Sequence, residues 1–160
     1  LINYLHKIGW FIGLVLLQVL ILNNVHIAGY ATPFLYIYLI LKFESDTPAI
    51  VDVVLAVDVF SDTPGMNAAA TVLLAFLRPT FLRLFVPRDT LDTLVPAIRT
   101  MGILPFLKYL VVSVLIHHGL LLTLEFFSFA HIGTLLLRIA ASTLLTVTCI
   151  MAVEGIRKKG

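Results

Sequence analysis

Carboxylates, imidazoles and one thiol are the groups in this chain that could do chemistry, and their spacing limits what chemistry that is. The 160 residues hold nine acids, five histidines and one cysteine. His117 and His118 are adjacent, so on a helix they point to different faces and make a poor chelate. Glu125 and His131 flank a later loop, and no HxxxH or HExxH spacing occurs. Cys149 sits in an apolar run without a CxxC partner, which excludes a disulfide framework and a cysteine metal site. Nucleophile-elbow, P-loop and glycine-rich dinucleotide patterns are absent. Glu44 and Asp46, close to Pro48, have the composition of a solvated turn. These spacings indicate no enzyme, no metal and no cofactor. What remains unusual is DVFSDTPGMNAAATVLLAFLRP, Asp58 to Pro79, where Asp58, Asp62 and Arg78 stand in a very apolar chain.

That chain is 60% hydrophobic and 12% charged, with a mean hydropathy of +1.05. A soluble domain carries about 25% charged residues. The apolar surplus must face lipid, which makes this an all-α polytopic membrane protein, with residues 1–160 as one integral membrane domain. The chain begins with Leu1, which suggests that residues precede it. Ile8–Val25 is not read as a signal peptide, because no small-x-small cleavage site follows and further apolar runs do. About six spans are expected, at 8–25, 33–43, 49–60, 66–84, 102–124 and 132–153. The second and third are short: twelve helical residues reach about 18 Å, against a hydrocarbon core of about 30 Å.

Basic residues separate by side. Lys7, Lys42, Arg78, Arg83, Arg88, Arg99, Lys108, Arg157, Lys158 and Lys159 all fall on one side of a six-span arrangement. The opposite loops, 26–32, 61–65 and 125–130, hold no Lys or Arg. Positive charge stays in the cytoplasm, so both termini are expected there. This distribution also accounts for the basic residues without nucleic acid. RPTFLRLFVPRD mixes arginines with Phe and Leu, which suits a segment at the lipid headgroups, either as an anchor or as a docking surface.

Arg138 stands apart inside the sixth span. Charge in hydrocarbon is costly and faces a bundle interior or a cavity. Counting turns puts Asp58 and Arg138 at similar depth, so they are expected to pair, directly or through water, or else each to snorkel to water separately. Asp52 marks an early, wet start to the third span. Ser61-Asp62-Thr63-Pro64-Gly65 has the composition of a tight turn, with Asn67 placed to cap the next helix. Ala68, Ala69 and Ala70 then offer a small-residue packing face. Gln18 and Asn23 in the first span have the chemistry to hydrogen-bond to neighbouring helices.

Three stretches together resemble MreD, the bacterial rod-shape-determining membrane protein, in its Bacteroidetes-type form. They are GYATPFLYIYLIL, DVFSDTPGMNAAATVLLAFLRP and LLRIAASTLLT. Asp58, Gly65, Arg78 and Pro79 are the positions that match. Residues 44–57 depart, being shorter than the family's approach to the aspartate and carrying Asp52. The resemblance implies six helices in the bacterial inner membrane and a fold similar to the substrate-binding component of energy-coupling-factor vitamin transporters. It implies a non-catalytic role in lateral cell-wall synthesis. It also implies partners: MreC, and through it MreB filaments, RodA and a class B penicillin-binding protein. The alternative is a small-molecule-binding membrane component of a transporter, which would use its interior polar residues rather than its lipid-facing surface.

Overall fold

Long apolar runs without internal glycine clusters favour continuous helices, because in lipid the backbone must satisfy its own hydrogen bonds. The computed structural model describes residues 9, 12–13, 15–24, 31–42, 47–86, 94–127 and 131–159. Among these the architecture is all-α. Helix α1 is Ile37–Lys42, α2 Thr47–Ser61, α3 Met66–Phe85, α4 Ile98–Met101, α5 Ile103–Phe126 and α6 Ile132–Lys159. Before them a π-turn spans Leu17–Ile21 and a 3₁₀ turn Leu22–Asn24. Among the described residues three stretches are long and apolar enough to cross a membrane: Met66–Phe85, Ile103–Phe126 and Ile132–Ile156.

Helix α3 starts at Gly65, whose φ of 75° is the left-handed region that glycine adopts without a Cβ penalty. Pro79 lies inside α3 and removes one backbone donor there. Pro105 lies in the first turn of α5, where its missing N–H would have had no helical partner anyway.

The expected second span is helical only from Ile37 onward. Ala31 to Phe34 is non-helical and leads through a turn, with Tyr38 N–H donating to Leu35 O and Leu39 N–H to Tyr36 O. Unwinding those first residues lengthens the twelve-residue segment from about 18 Å to as much as about 25 Å, against about 30 Å for a bilayer core. It is also the centre of the protein. Tyr36, Ile37, Ile40 and Leu41 are all at most 2% exposed. Helices α2, α3 and α5 pack around it. Tyr36 meets Asn67 near one end and Leu41 meets Arg78 near the other, so α3 runs parallel to the segment. Helix α5 lies between α3 and α6, its most extensive neighbours. Outward faces are apolar: Phe76 is 79% exposed and Leu144 70%. Asp52 lies on the exposed side of α2, in its second turn.

Candidate functional site

Two polar clusters lie inside this apolar bundle, one at each end of the 31–42 segment. The first is built on Asp58, the last buried residue of α2 before the hairpin. Its carboxylate is 2% exposed. Oδ1 accepts from Asn67 N–H at 3.0 Å, Asn67 Nδ2 at 2.8 Å and Thr63 Oγ1 at 2.9 Å, and Oδ2 accepts from Ala68 N–H at 2.9 Å. Gly65 has no side chain with which to cap α3, so Asp58 does so from the preceding helix. The first backbone N–H groups of a helix lack internal partners and carry partial positive charge, which is what a carboxylate needs.

Ser61 ends α2, Pro64 and Gly65 lie in the turn that follows it, and Asp62 adopts φ 55° there. A shallow cleft of about 320 Å³ lies on this hairpin, lined by Leu55, Asp58, Val59, Asp62, Pro64 and Gly65.

The cluster continues inward. Tyr36 OH donates to Asn67 Oδ1 at 2.7 Å and lies 3.2 Å from His117 Nε2. Phe34 and His118 pack edge to face beside them, ring centroids 5.2 Å apart. His118 Nδ1 lies 2.9 Å from Val114 O, and its Nε2 is 3.4 Å from Thr146 Oγ1. Thr146 also accepts the Phe34 N–H at 3.1 Å, and Ser142 accepts the Thr32 N–H at 3.2 Å. Gln18, in the π-turn, accepts from Leu35 N–H at 3.0 Å and donates to Pro33 O at 2.9 Å. Three side chains, one from the π-turn and two from α6, thus satisfy a backbone that has left the helix, the condition for irregular chain inside a bundle.

The second cluster closes the other end. Lys42 forms an ion pair with Glu154 of α6, and Tyr38 OH donates to the same carboxylate at 2.9 Å. Leu41 O, at the C-terminal end of α1, accepts from Arg78 Nε at 3.2 Å and from Tyr109 OH at 3.2 Å. Guanidinium at a helix C-terminus meets the negative end of its dipole.

Several expectations change. Asp58 makes no direct pair with Arg138. Its carboxylate takes hydrogen bonds from the start of α3, while the Arg138 guanidinium lies 4.7 Å from the centre of the Phe126 ring. Four nearby donors already solvate the carboxylate, and the aromatic face attracts the cation. Asn67 is not the cap of α3. It is the second residue of that helix, and Asp58 caps its N–H. Ala68 and Ala70 are buried but Ala69 is exposed: successive helical residues turn about 100° apart, so the three cannot share one face, and α3 is covered on more than one side. His117 and His118 do point in different directions, yet both are fully buried, because α5 is covered on two sides. Among the described residues no group of three or more His, Cys, Asp or Glu is arranged to hold a metal ion.

Gln18 hydrogen-bonds as its chemistry suggested, to the 33–35 backbone. The Asn23 side chain lies outside the described residues, as do Lys7, His26, Glu44, Asp46, Arg88 and the side chains of Arg157, Lys158 and Lys159. The Lys42–Glu154 pair was missed. Lys42 read as a loop cation, and the only signal available was a lone Glu154 at the end of an apolar run. Compared with known proteins, the chain matches no family, no curated protein and no solved structure.

Proposed function

We propose that this protein is a non-catalytic membrane scaffold of the bacterial cell-wall elongation machinery, similar in role to MreD. In this reading the chain crosses the inner membrane six times. The end carrying Lys42, Arg83, Arg99 and Lys108 faces the cytoplasm, together with both termini. Its partner is MreC, and through MreC it reaches MreB, RodA and a class B penicillin-binding protein.

One observation carries the reading. The side chains behind the resemblance are engaged on the protein's own backbone: Asp58 holds the start of α3, and Arg78 holds the end of α1. Such residues stabilise a bundle whose outer faces are left for membrane helices. Close approach of a partner helix would use small and apolar positions on those faces, such as Ala69 and Val72 of α3.

The test is co-expression with the MreC of the same genome and purification in mild detergent, with an unrelated single-span protein as control. A stoichiometric complex is expected. A folded, monodisperse protein that elutes without MreC would overturn the scaffold role. The second reading, a small-molecule-binding transporter component, draws on the unwound Ala31–Phe34 stretch, since discontinuous segments in bundle interiors form substrate sites in transporters. It predicts that a small polar ligand raises the melting temperature, which a scaffold does not require.

A further inference from the structure

The hydrogen bonds running inward from Asp58 have only one consistent direction. An ionised carboxylate accepts and cannot donate. The Asn67 atom 2.8 Å from Asp58 is therefore the amide nitrogen, which turns Asn67 Oδ1 toward Tyr36. Tyr36 has one hydroxyl proton, and it goes to that oxygen at 2.7 Å. The 3.2 Å contact with His117 Nε2 is then a donation from Nε2–H to the Tyr36 oxygen. A neutral imidazole carries one N–H, so His117 Nδ1 is a bare acceptor.

His118 has the opposite arrangement. The Val114 carbonyl can only accept, so His118 Nδ1 carries the proton. Thr146 already takes the Phe34 N–H and has its own proton to give, which suits the bare Nε2 of His118. Both nitrogens of His118 are thereby satisfied. His117 Nδ1 is not: it is fully buried and has no partner in the protein.

Two hydroxyls share that condition. Ser113 Oγ and Thr71 Oγ1 are fully buried and without a hydrogen-bond partner among the described residues. Ser113 lies one turn from His117 on the same face of α5, and Thr71 one turn from Asn67 on the same face of α3. Asn67 reaches His117 through Tyr36, and Arg78 and Tyr109 meet at Leu41 O, so α3 and α5 run antiparallel and Thr71 and Ser113 occupy one layer beneath the first bridge. We propose that Thr71, Ser113 and His117 form an internal binding site for a water-sized, uncharged hydrogen-bond donor. The bare nitrogen of His117 accepts from it, and the two hydroxyls complete its shell. Three polar partners are what a buried water needs, and none of the three groups is an ion that would select a charged guest.

The test is imidazole nitrogen NMR on histidine-labelled protein in lipid nanodiscs, with water as the probe. The expected spectrum shows adjacent histidines in opposite tautomers: His117 protonated on Nε2 and His118 on Nδ1. The His117 Nδ1 signal should be displaced from the bare-acceptor position and should receive magnetisation from water. In a Thr71→Val, Ser113→Ala double variant that water transfer should be lost and the signal should move to the bare position. His118 should stay unchanged and report an intact bundle. A His117 protonated on Nδ1, a bare Nδ1 signal in the parent protein, or water transfer that survives the double variant each overturns the site. Should the double variant not fold, the parent spectrum decides alone.

Discussion

Asp58 accepts four hydrogen bonds, two of them from the backbone at the start of α3. Asp58→Ala leaves those donors without an acceptor in a buried place. Unfolding stability should fall by about 2–3 kcal/mol. Asp58→Asn keeps one acceptor oxygen and should cost roughly half as much. Titration with a denaturing detergent, following helical circular dichroism, measures both; equal stabilities would remove Asp58 from its capping role. Lys42 and Glu154 behave differently, because each leaves the other as a buried, uncompensated charge. Lys42→Met or Glu154→Leu alone should cost about 3–5 kcal/mol, whereas the Lys42→Met, Glu154→Leu double variant should recover most of that loss. Additive losses in the double-mutant cycle would show that the pair is not coupled.

At the scale of elements, the 31–42 segment depends on side chains for its backbone hydrogen bonds. Ser142 and Thr146 serve its Thr32 and Phe34 N–H groups. Thr146→Val keeps the shape but strands the Phe34 N–H, at a cost of about 1–3 kcal/mol. Hydrogen exchange at Phe34 should speed up while exchange in α5 holds, since the opening is local. Unchanged protection at Phe34 would mean that Thr146 is not what holds it. The hairpin before α3 tests backbone geometry instead. A Cβ at Gly65 meets nothing within 4 Å, so Gly65→Ala costs only the left-handed conformation, about 1 kcal/mol. Gly65→Asn should cost less, because Asn tolerates that region. The comparison is a pair of melting curves, and a large loss in both would point to a packing role.

For the whole molecule, the apolar drive that collapses a soluble core is weak between helices in lipid, so close packing and interior hydrogen bonds carry cohesion. The polar clusters at the two ends of the 31–42 segment are therefore central to this bundle. Topology follows from charge. A fluorescent protein fused after Gly160 should fluoresce in the cytoplasm, and alkaline phosphatase at the same place should stay inactive. The reverse result would invert the proposed orientation. Much of the architecture was legible in the chain. Expected spans at 66–84, 102–124 and 132–153 correspond to Met66–Phe85, Ile103–Phe126 and Ile132–Lys159, because length, apolarity and Pro-Gly punctuation act locally. The turn at 61–65 was legible for the same reason. What the chain could not reveal was partnership. Asp58 matched Arg138 in depth, but depth says nothing about which faces meet. Only the folded bundle brings the start of α3 to Asp58, Glu154 to Lys42, and Gln18, Ser142 and Thr146 to an unwound backbone. Each of these contacts joins residues that a period or a composition treats separately, so packing alone decided them.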